Sequence, residues 1–302
     1  MLKKIITAMM ALALATAALA QTTTKSKDVV AFENIEINSD FEVVFHQAEF
    51  YRVDWTFDTI LADVVGVHVS GNTLHVSLNK KGMSSELKKT YRGRNAPKPV
   101  LKVSIYAPSF SHLTLSENAV FDAMGNRIKT GIFELSATDK ARVSNLSVEA
   151  DRASVVLDKD AKVNLTVKAG KIDVQAGKSS SLDMLQNSGA LNISTSGSAS
   201  VTISGQTEDI VSSMQNASRL SVSGSAVTVR HDGKGSSEAD LLNLPLSNAD
   251  VTMANSSKLY LSVSDGLKVD LKGGCSVIYN GNPDITVVNI LASTLAHYTG
   301  KK

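Results

Sequence analysis

A single cysteine, Cys275, leaves this 302-residue chain without an internal disulfide framework, so its stability has to come from packing. Cys275 itself stands where a small residue recurs, which reads as an inward packing position rather than a nucleophile. Aromatic residues make up 5% of the chain, with Trp55 the one tryptophan. That leaves little material for the ring platforms on which polysaccharide-cleaving β-helices seat their sugars. The sequence also lacks a Gly-rich phosphate loop, zinc-type Cys/His spacing, a Gly-x-Ser-x-Gly elbow and the calcium-binding nonapeptide of β-rolls. No cofactor is expected.

Long hydrophobic runs are absent beyond the N-terminus, where Lys3 and Lys4 precede an apolar stretch from Ile5 to Leu19 that ends in Ala18-Leu19-Ala20. This is the pattern of a secretory signal peptide over residues 1–20 with a small-x-small cleavage site. The run is short for a membrane span, so no transmembrane segment is expected in the mature chain. No cysteine at the cleavage site offers a lipid anchor. An exported protein follows, in the periplasm, on the outer surface or secreted. Loss of Lys3 and Lys4 brings the 31 basic side chains level with the 29 acidic ones. A neutral chain of this kind gives no reason to expect nucleic acid as a partner.

What the sequence does have is a repeat. From about residue 139 to 281 a small, a polar, an aliphatic, a polar and an aliphatic residue recur eight times, centred on Val143, Val163, Leu182, Val201, Leu220, Ala239, Leu259 and Val277. Two residues before these centres stand Ala141, Ala161, Ser180, Ala199, Ser218, Ser237, Ser257 and Cys275. Alternation with period two means strands. A strand that recurs every 19 or so residues with the same apolar face buries that face only by stacking on its neighbours. An all-β parallel β-helix (a solenoid) is therefore expected, right-handed by the general crossover preference. A second strand per coil is marked by pairs such as Ile172/Val174, Leu191/Ile193 and Val229/His231. Gly205, Gly224, Asn243 and Gly281 fall at expected turns, four residues after the centres. An antiparallel sandwich is the rival architecture.

Residues 21–29 read as a polar leader, and residues 29–78 alternate as strands. Ser70-Gly71-Asn72-Thr73 reads as a hairpin turn that places His68 opposite His75. Two histidines alone do not make a metal site, and no third ligand is placed by spacing. Residues 80–99 read as a long exposed basic loop, with Lys80, Lys81, Lys88, Lys89, Arg92, Arg94 and Lys98 against the single acid Glu86. Such a loop suits an acidic partner, and a merely solvated loop is the plain alternative. Ala119, Phe121 and Ala123 mark an earlier, degenerate coil before the eight regular ones. Residues 286–302 are expected as a cap or tail over the last coil.

Phe32-Glu33-Asn34-Ile35, Phe41-Glu42-Val43, the Ser-Gly-Ser-Ala-Ser-Val run at 196–201 and the ending from Gly273 to Pro283 resemble the head GIN domain family of bacterial auto-transporter adhesins. The resemblance covers roughly residues 30–285. It implies a cell-envelope or surface location and an adhesive role. Several coils replace the family's Ser-Gly-Ser-Gly with Asp-Lys-Ala-Arg, Asp-Arg-Ala-Ser or Gln-Asn-Ala-Ser. Those changes leave the fold intact but put any family binding surface in doubt.

Asp158 with Asp160, and Glu238 with Asp240, are the carboxylate pairs that a glycoside-cleaving reading would use. All four fall where the alternation already demands outward polar residues. The function expected is a non-catalytic binding, adhesion or scaffolding module. Envelope or extracellular polysaccharide, or another surface protein, would be its partner, with the basic loop as the contact. A carbohydrate-active β-helix enzyme and a purely structural envelope protein are the alternatives.

Overall fold

The structure, a computed structural model, describes residues 21–300, so the expected signal segment lies outside the described residues. It is a β-solenoid of about 10 turns with about 19 residues per coil. The first strands are β1 (Thr22–Asp28), β2 (Asn34–Ile37), β3 (Glu42–Gln47), β4 (Arg52–Asp58), β5 (Val65–Ser70) and β6 (Thr73–Leu78). Helix α1 (Ser85–Thr90) leads to β7 (Leu101–Ala107), β8 (His112–Leu115), β9 (Val120–Asp122) and β10 (Arg127–Ala137). The regular coils follow, first as β11 (Arg142–Leu157), β12 (Lys162–Ala176) and β13 (Ser181–Thr195). After β14 (Ser200–Gln206), β15 (Asp209–Met214), β16 (Arg219–Ser225) and β17 (Thr228–Gly233) come β18 (Glu238–Ala254) and β19 (Lys258–Lys272). The described chain ends on β20 (Ser276–Asn280), β21 (Asp284–Leu291) and β22 (Thr294–His297).

The eight repeat centres from Val143 to Val277 face one another from coil to coil as register partners in parallel strands. That column runs on through Phe121, Val43 and Val103 at one end and Leu295 at the other. A second column joins Val155, Val174, Ile193, Ser212, His231, Val251 and Val269 on the opposite side of the coil. The small residues, Cys275 among them, form a third internal column and are all buried. Alternation explains the result: inward residues pave a continuous core while their sequence neighbours meet water.

Each coil must turn sharply to bring its two strand segments around one core. At one corner Glu117, Asp139, Lys159, Lys178, Gly197, Asn216 and Gly235 share left-handed backbone, with φ between 52° and 75°. Elsewhere Gly205 and Gly224 lie so close to the preceding coil that a Cβ on either would sit 1.8 Å from a backbone oxygen. At Asn243, by contrast, the strand runs on, and a bulge between Leu241 and Pro245 absorbs the extra residues of that coil.

Four features depart from the sequence reading. The leader is an edge strand, β1, paired antiparallel with β4. Its Thr and Ser side chains are water-facing on both sides, so it carries no hydrophobic alternation to read. The first coil in sequence is not the first in space, because β2 lies between β6 and β8 and β3 lies between β7 and β9. The chain thus adds a rung outside its own starting coil and closes that end with antiparallel β4, β1 and β5. Seven of the eight phenylalanines are buried, all before residue 134, where they fill these early coils. The stretch 80–99 is not a plain loop, since it holds a 3-10 turn at Lys80–Gly82 and the helix α1. Finally, residues 284–297 form one more coil rather than a cap, with β21 on β19 and β22 on β20.

Candidate functional site

The basic segment replaces the short corner turn between β6 and β7 on the outermost coil. Ser84 caps α1 by accepting a hydrogen bond from the Leu87 N–H at 3.2 Å, and Asn79 accepts from the Gly82 N–H at 3.0 Å. Met83, Leu87 and Tyr91, four residues apart, present one apolar stripe and pack against the core. The Tyr91 hydroxyl donates to Asp58 Oδ2 at 2.7 Å, and the Val100 N–H donates to the same oxygen at 3.1 Å. Burial, reinforced by the bond to Asp58, pushes the Tyr91 phenol up. The middle of the segment and its C-terminal end are therefore tied to one buried carboxylate, which fixes the backbone that carries Arg92, Arg94 and Lys98.

The seven cations do not behave alike. Lys80 pairs with Glu117 and, at 3.5 Å, with Asp40, which turns it inward as a tether. Lys81, Lys88, Lys89, Arg92, Arg94 and Lys98 are exposed and make no ion pair among the described residues. The Lys88 ammonium donates to the Lys81 carbonyl at 3.4 Å, which keeps two of the six on one side of α1.

His68 and His75 do stand opposite each other in the β5–β6 hairpin, with ring centroids 5.3 Å apart. His75 Nδ1 lies 3.2 Å from Glu36 Oε2. Among the described residues no group of three or more His, Cys, Asp or Glu side chains comes together in a way that could hold a metal ion. The pair forms a polar cross-strand contact in a shallow hollow beside Asn38 and Ser70.

The carboxylates weighed for glycoside cleavage point outward, as alternation requires. A hydrogen bond from Lys178 at 2.9 Å holds Asp158 below the usual carboxylate range. A general acid for glycoside cleavage needs the opposite shift, so Asp158 is unsuited to that task. Asp240 accepts from the Leu242 N–H at 3.1 Å, within its own strand.

Two further surfaces were not singled out from the sequence. His46, Tyr106 and Phe50 stack as three rings, 4.8 Å and 6.0 Å apart, on the outer face of the early coils, with Phe50 53% exposed. Pairing of β3 with β7 brings the first two together across 60 residues of sequence, which no local pattern announces. At another corner Glu149 lies between Lys129, Lys168 and Arg127, at 3.6, 3.8 and 3.9 Å. This cluster edges an open trough of about 770 Å³ whose floor includes Gly131, Gly170 and Gly189. Lys129, Glu149 and Lys168 are one outward column, so aligning the coils would have revealed it.

The family profile described as "Putative auto-transporter adhesin, head GIN domain" matches residues 31–187 and 179–283. The chain belongs to this family. Two solved structures share its fold, each described as a "putative adhesin". One, from Parabacteroides merdae, is 16% identical with a TM-score of 0.51, over 93% of this chain and 97% of the other. The second, from Parabacteroides distasonis, is also 16% identical, with a TM-score of 0.55 over 92% and 96%. No curated protein matches. The head GIN residues that carry the resemblance are structural: Phe32, Ile35, Phe41 and Val43 are core, and a Cβ on Gly281 would meet the Val263 oxygen at 2.1 Å. Membership therefore speaks for the fold and an adhesin-type role. No helix among the described residues is long and apolar enough to cross a membrane.

Proposed function

We propose that this head GIN protein is exported and acts at the cell envelope or outside it as a non-catalytic binding module. Its basic segment supplies part of the contact to an acidic partner, such as an envelope or extracellular polysaccharide or the acidic face of another surface protein. The observation that carries the reading is the set of six exposed, unpaired cations, two on helix α1 and four flanking it, in a segment that Met83, Leu87 and Tyr91 pack against the core. Anchoring matters because a backbone already held in place loses little further freedom when its cations bind. Each surface charge pair contributes only about 0–1 kcal/mol, so attachment needs several at once and weakens as salt shortens the screening length.

The test compares the mature chain with a variant carrying Lys88, Lys89, Arg92 and Arg94 all changed to Ser. Retention on immobilised acidic polysaccharide and on extracellular matrix is measured at low and high salt. The wild type is expected to be retained at low salt and released at high salt, with the variant passing through at both. Equal retention of the two proteins would remove the segment from the contact, and turnover of a glycan by the purified chain would overturn the non-catalytic reading.

A further inference from the structure

The last coil is an open rung. Strand β21 pairs only with β19, and β22 only with β20, so the outer edge of each leaves its backbone N–H and C=O groups without a strand partner. The inward side chains of this coil continue the core columns: Ile285 stands on Leu267, Val287 on Val269 and Ile290 on Leu271. Yet they are 41%, 52% and 37% exposed, whereas the three beneath them are buried. Val288 and Leu291 add to the same exposed end. The core of the solenoid is thus cut across, not closed, and nothing among the described residues lies over it.

Charge narrows what can cover it. From Ile285 to Tyr298 there is no Asp, Glu, Lys or Arg, while β19 beneath carries Lys258, Asp265, Lys268, Asp270 and Lys272. Proteins guard free edges with charged side chains or proline, and here both stand only at the start of the edge, as Pro283 and Asp284, leaving Ile285 to Leu291 unguarded. A partner chosen by charge finds little to grip beyond Asp284, whereas a second copy laid antiparallel sets the two Asp284 side chains at opposite ends of the strand pair, away from each other. The outline of the end narrows the choice further. A coil end matches another coil end, and the far end of this solenoid is closed by antiparallel strands, with Lys25, Lys27 and Asp28 on the β1 edge. Head-to-tail stacking into a filament therefore has no matching rung.

We propose that this terminal coil is the dimer interface, joining two chains end to end across a two-fold axis. Across such an axis β21 meets β21 of the second copy antiparallel, and the same residues contribute from both sides. The two apolar ends become one continuous core. Each solenoid spans roughly 50 Å at about 4.8 Å per rung. The two basic segments, which sit at the opposite ends of the chains, would then face away from each other at the far ends of one rod. That arrangement suits two-point attachment or bridging between surfaces. The dimer itself does not depend on what the basic segment binds.

Sedimentation equilibrium of the mature chain over a concentration series tests it, alongside a Val287→Lys, Ile290→Lys variant. Both positions already face solvent at the open end, so the variant is expected to keep its strand circular dichroism. The wild type is expected at twice the chain mass, with β21 amides exchanging hydrogen at least tenfold more slowly at high than at low protein concentration. The variant is expected at single-chain mass with fast β21 exchange at every concentration. A monomeric wild type overturns the proposal, as does an oligomer that survives in the variant or a dimer whose β21 amides gain no protection. If the variant loses its fold, a nitroxide on Thr286→Cys in the wild-type background decides: the paired β21 strands are eight residues, about 27 Å, long, so the proposal expects an intermolecular label distance of that order or less in any register, and its absence overturns it.

Discussion

His231 and Ser212 are the two neighbours at which the second core column departs from the aliphatic rule. His231 is 1% exposed, and its Nδ1 shares a hydrogen bond of 2.8 Å with Ser212, the residue below it in the same column. Burial pushes its pKa down to about 4, with the neighbouring Asp232 pulling weakly the other way. Since the unfolded side chain titrates near 6.5, the unfolded state takes up a proton first as pH falls. The stability that the neutral ring supports is fully present above pH 6.5 and is lost progressively as pH falls towards 4, by up to about 3 kcal/mol. Thermal melts at pH 7.5 and pH 4.5 should show a larger drop for the wild type than for His231→Val, which removes the titrating ring at the cost of the Ser212 hydrogen bond at both pH values. An identical drop in both would mean that this ring does not set the acid limb. In the sequence the Val229/His231 pair was legible as a strand of the second column; that Ser212 and His231 would satisfy each other was not, because the bond joins two coils.

At the scale of elements, the corner and kink positions decide whether coils stack at all. Gly205 and Gly224 follow each other in register on Gln186, with φ of 131° and 122°. Gly205→Ala drives a methyl into the Gln186 carbonyl, whose coil cannot retreat without leaving its own neighbours. The expected destabilisation is at least about 4 kcal/mol, in the range reserved for steric conflict within a packed interior. Gly71→Ala is the control, because its φ of 58° is also left-handed but nothing lies within 4 Å. There the loss is about 1 kcal/mol, the intrinsic penalty of a side chain in that conformation. Chemical denaturation of the two variants should separate them clearly, and equal midpoints would refute the close-approach account. The basic segment teaches the complementary lesson. Its charge was obvious in the sequence, and the Met83, Leu87 and Tyr91 spacing with Ser84 as a cap was there to be read as a helix. Its anchor on Asp58 was not, since that carboxylate lies 33 residues earlier, on β4.

For the whole molecule, a stack of near-identical coils implies that one coil is removable. Deleting residues 181–199 joins Ser180 to Ser200 and lays β14 directly on β12, with Val163 facing Val201 in the column that Leu182 now occupies. The shortened chain is expected to fold, to keep its strand circular dichroism, and to melt on the order of 5 °C lower, because it loses one coil and one inter-coil contact. Loss of cooperative unfolding would show that the coils are not interchangeable. The sequence by itself determined the architecture: period two fixes which side chains point inward, and a 19-residue period leaves stacking in register as the way to bury them. Both signals are local or between adjacent coils, which is why the order of residues along the chain is enough to carry them. Only the tertiary structure decided which strands lie outermost, that the first coil sits inside the second, that three rings meet on one face and that the last coil stands open. Each of those depends on pairing between distant segments at the ends of the stack, where no neighbour repeats the pattern and the period has nothing left to say.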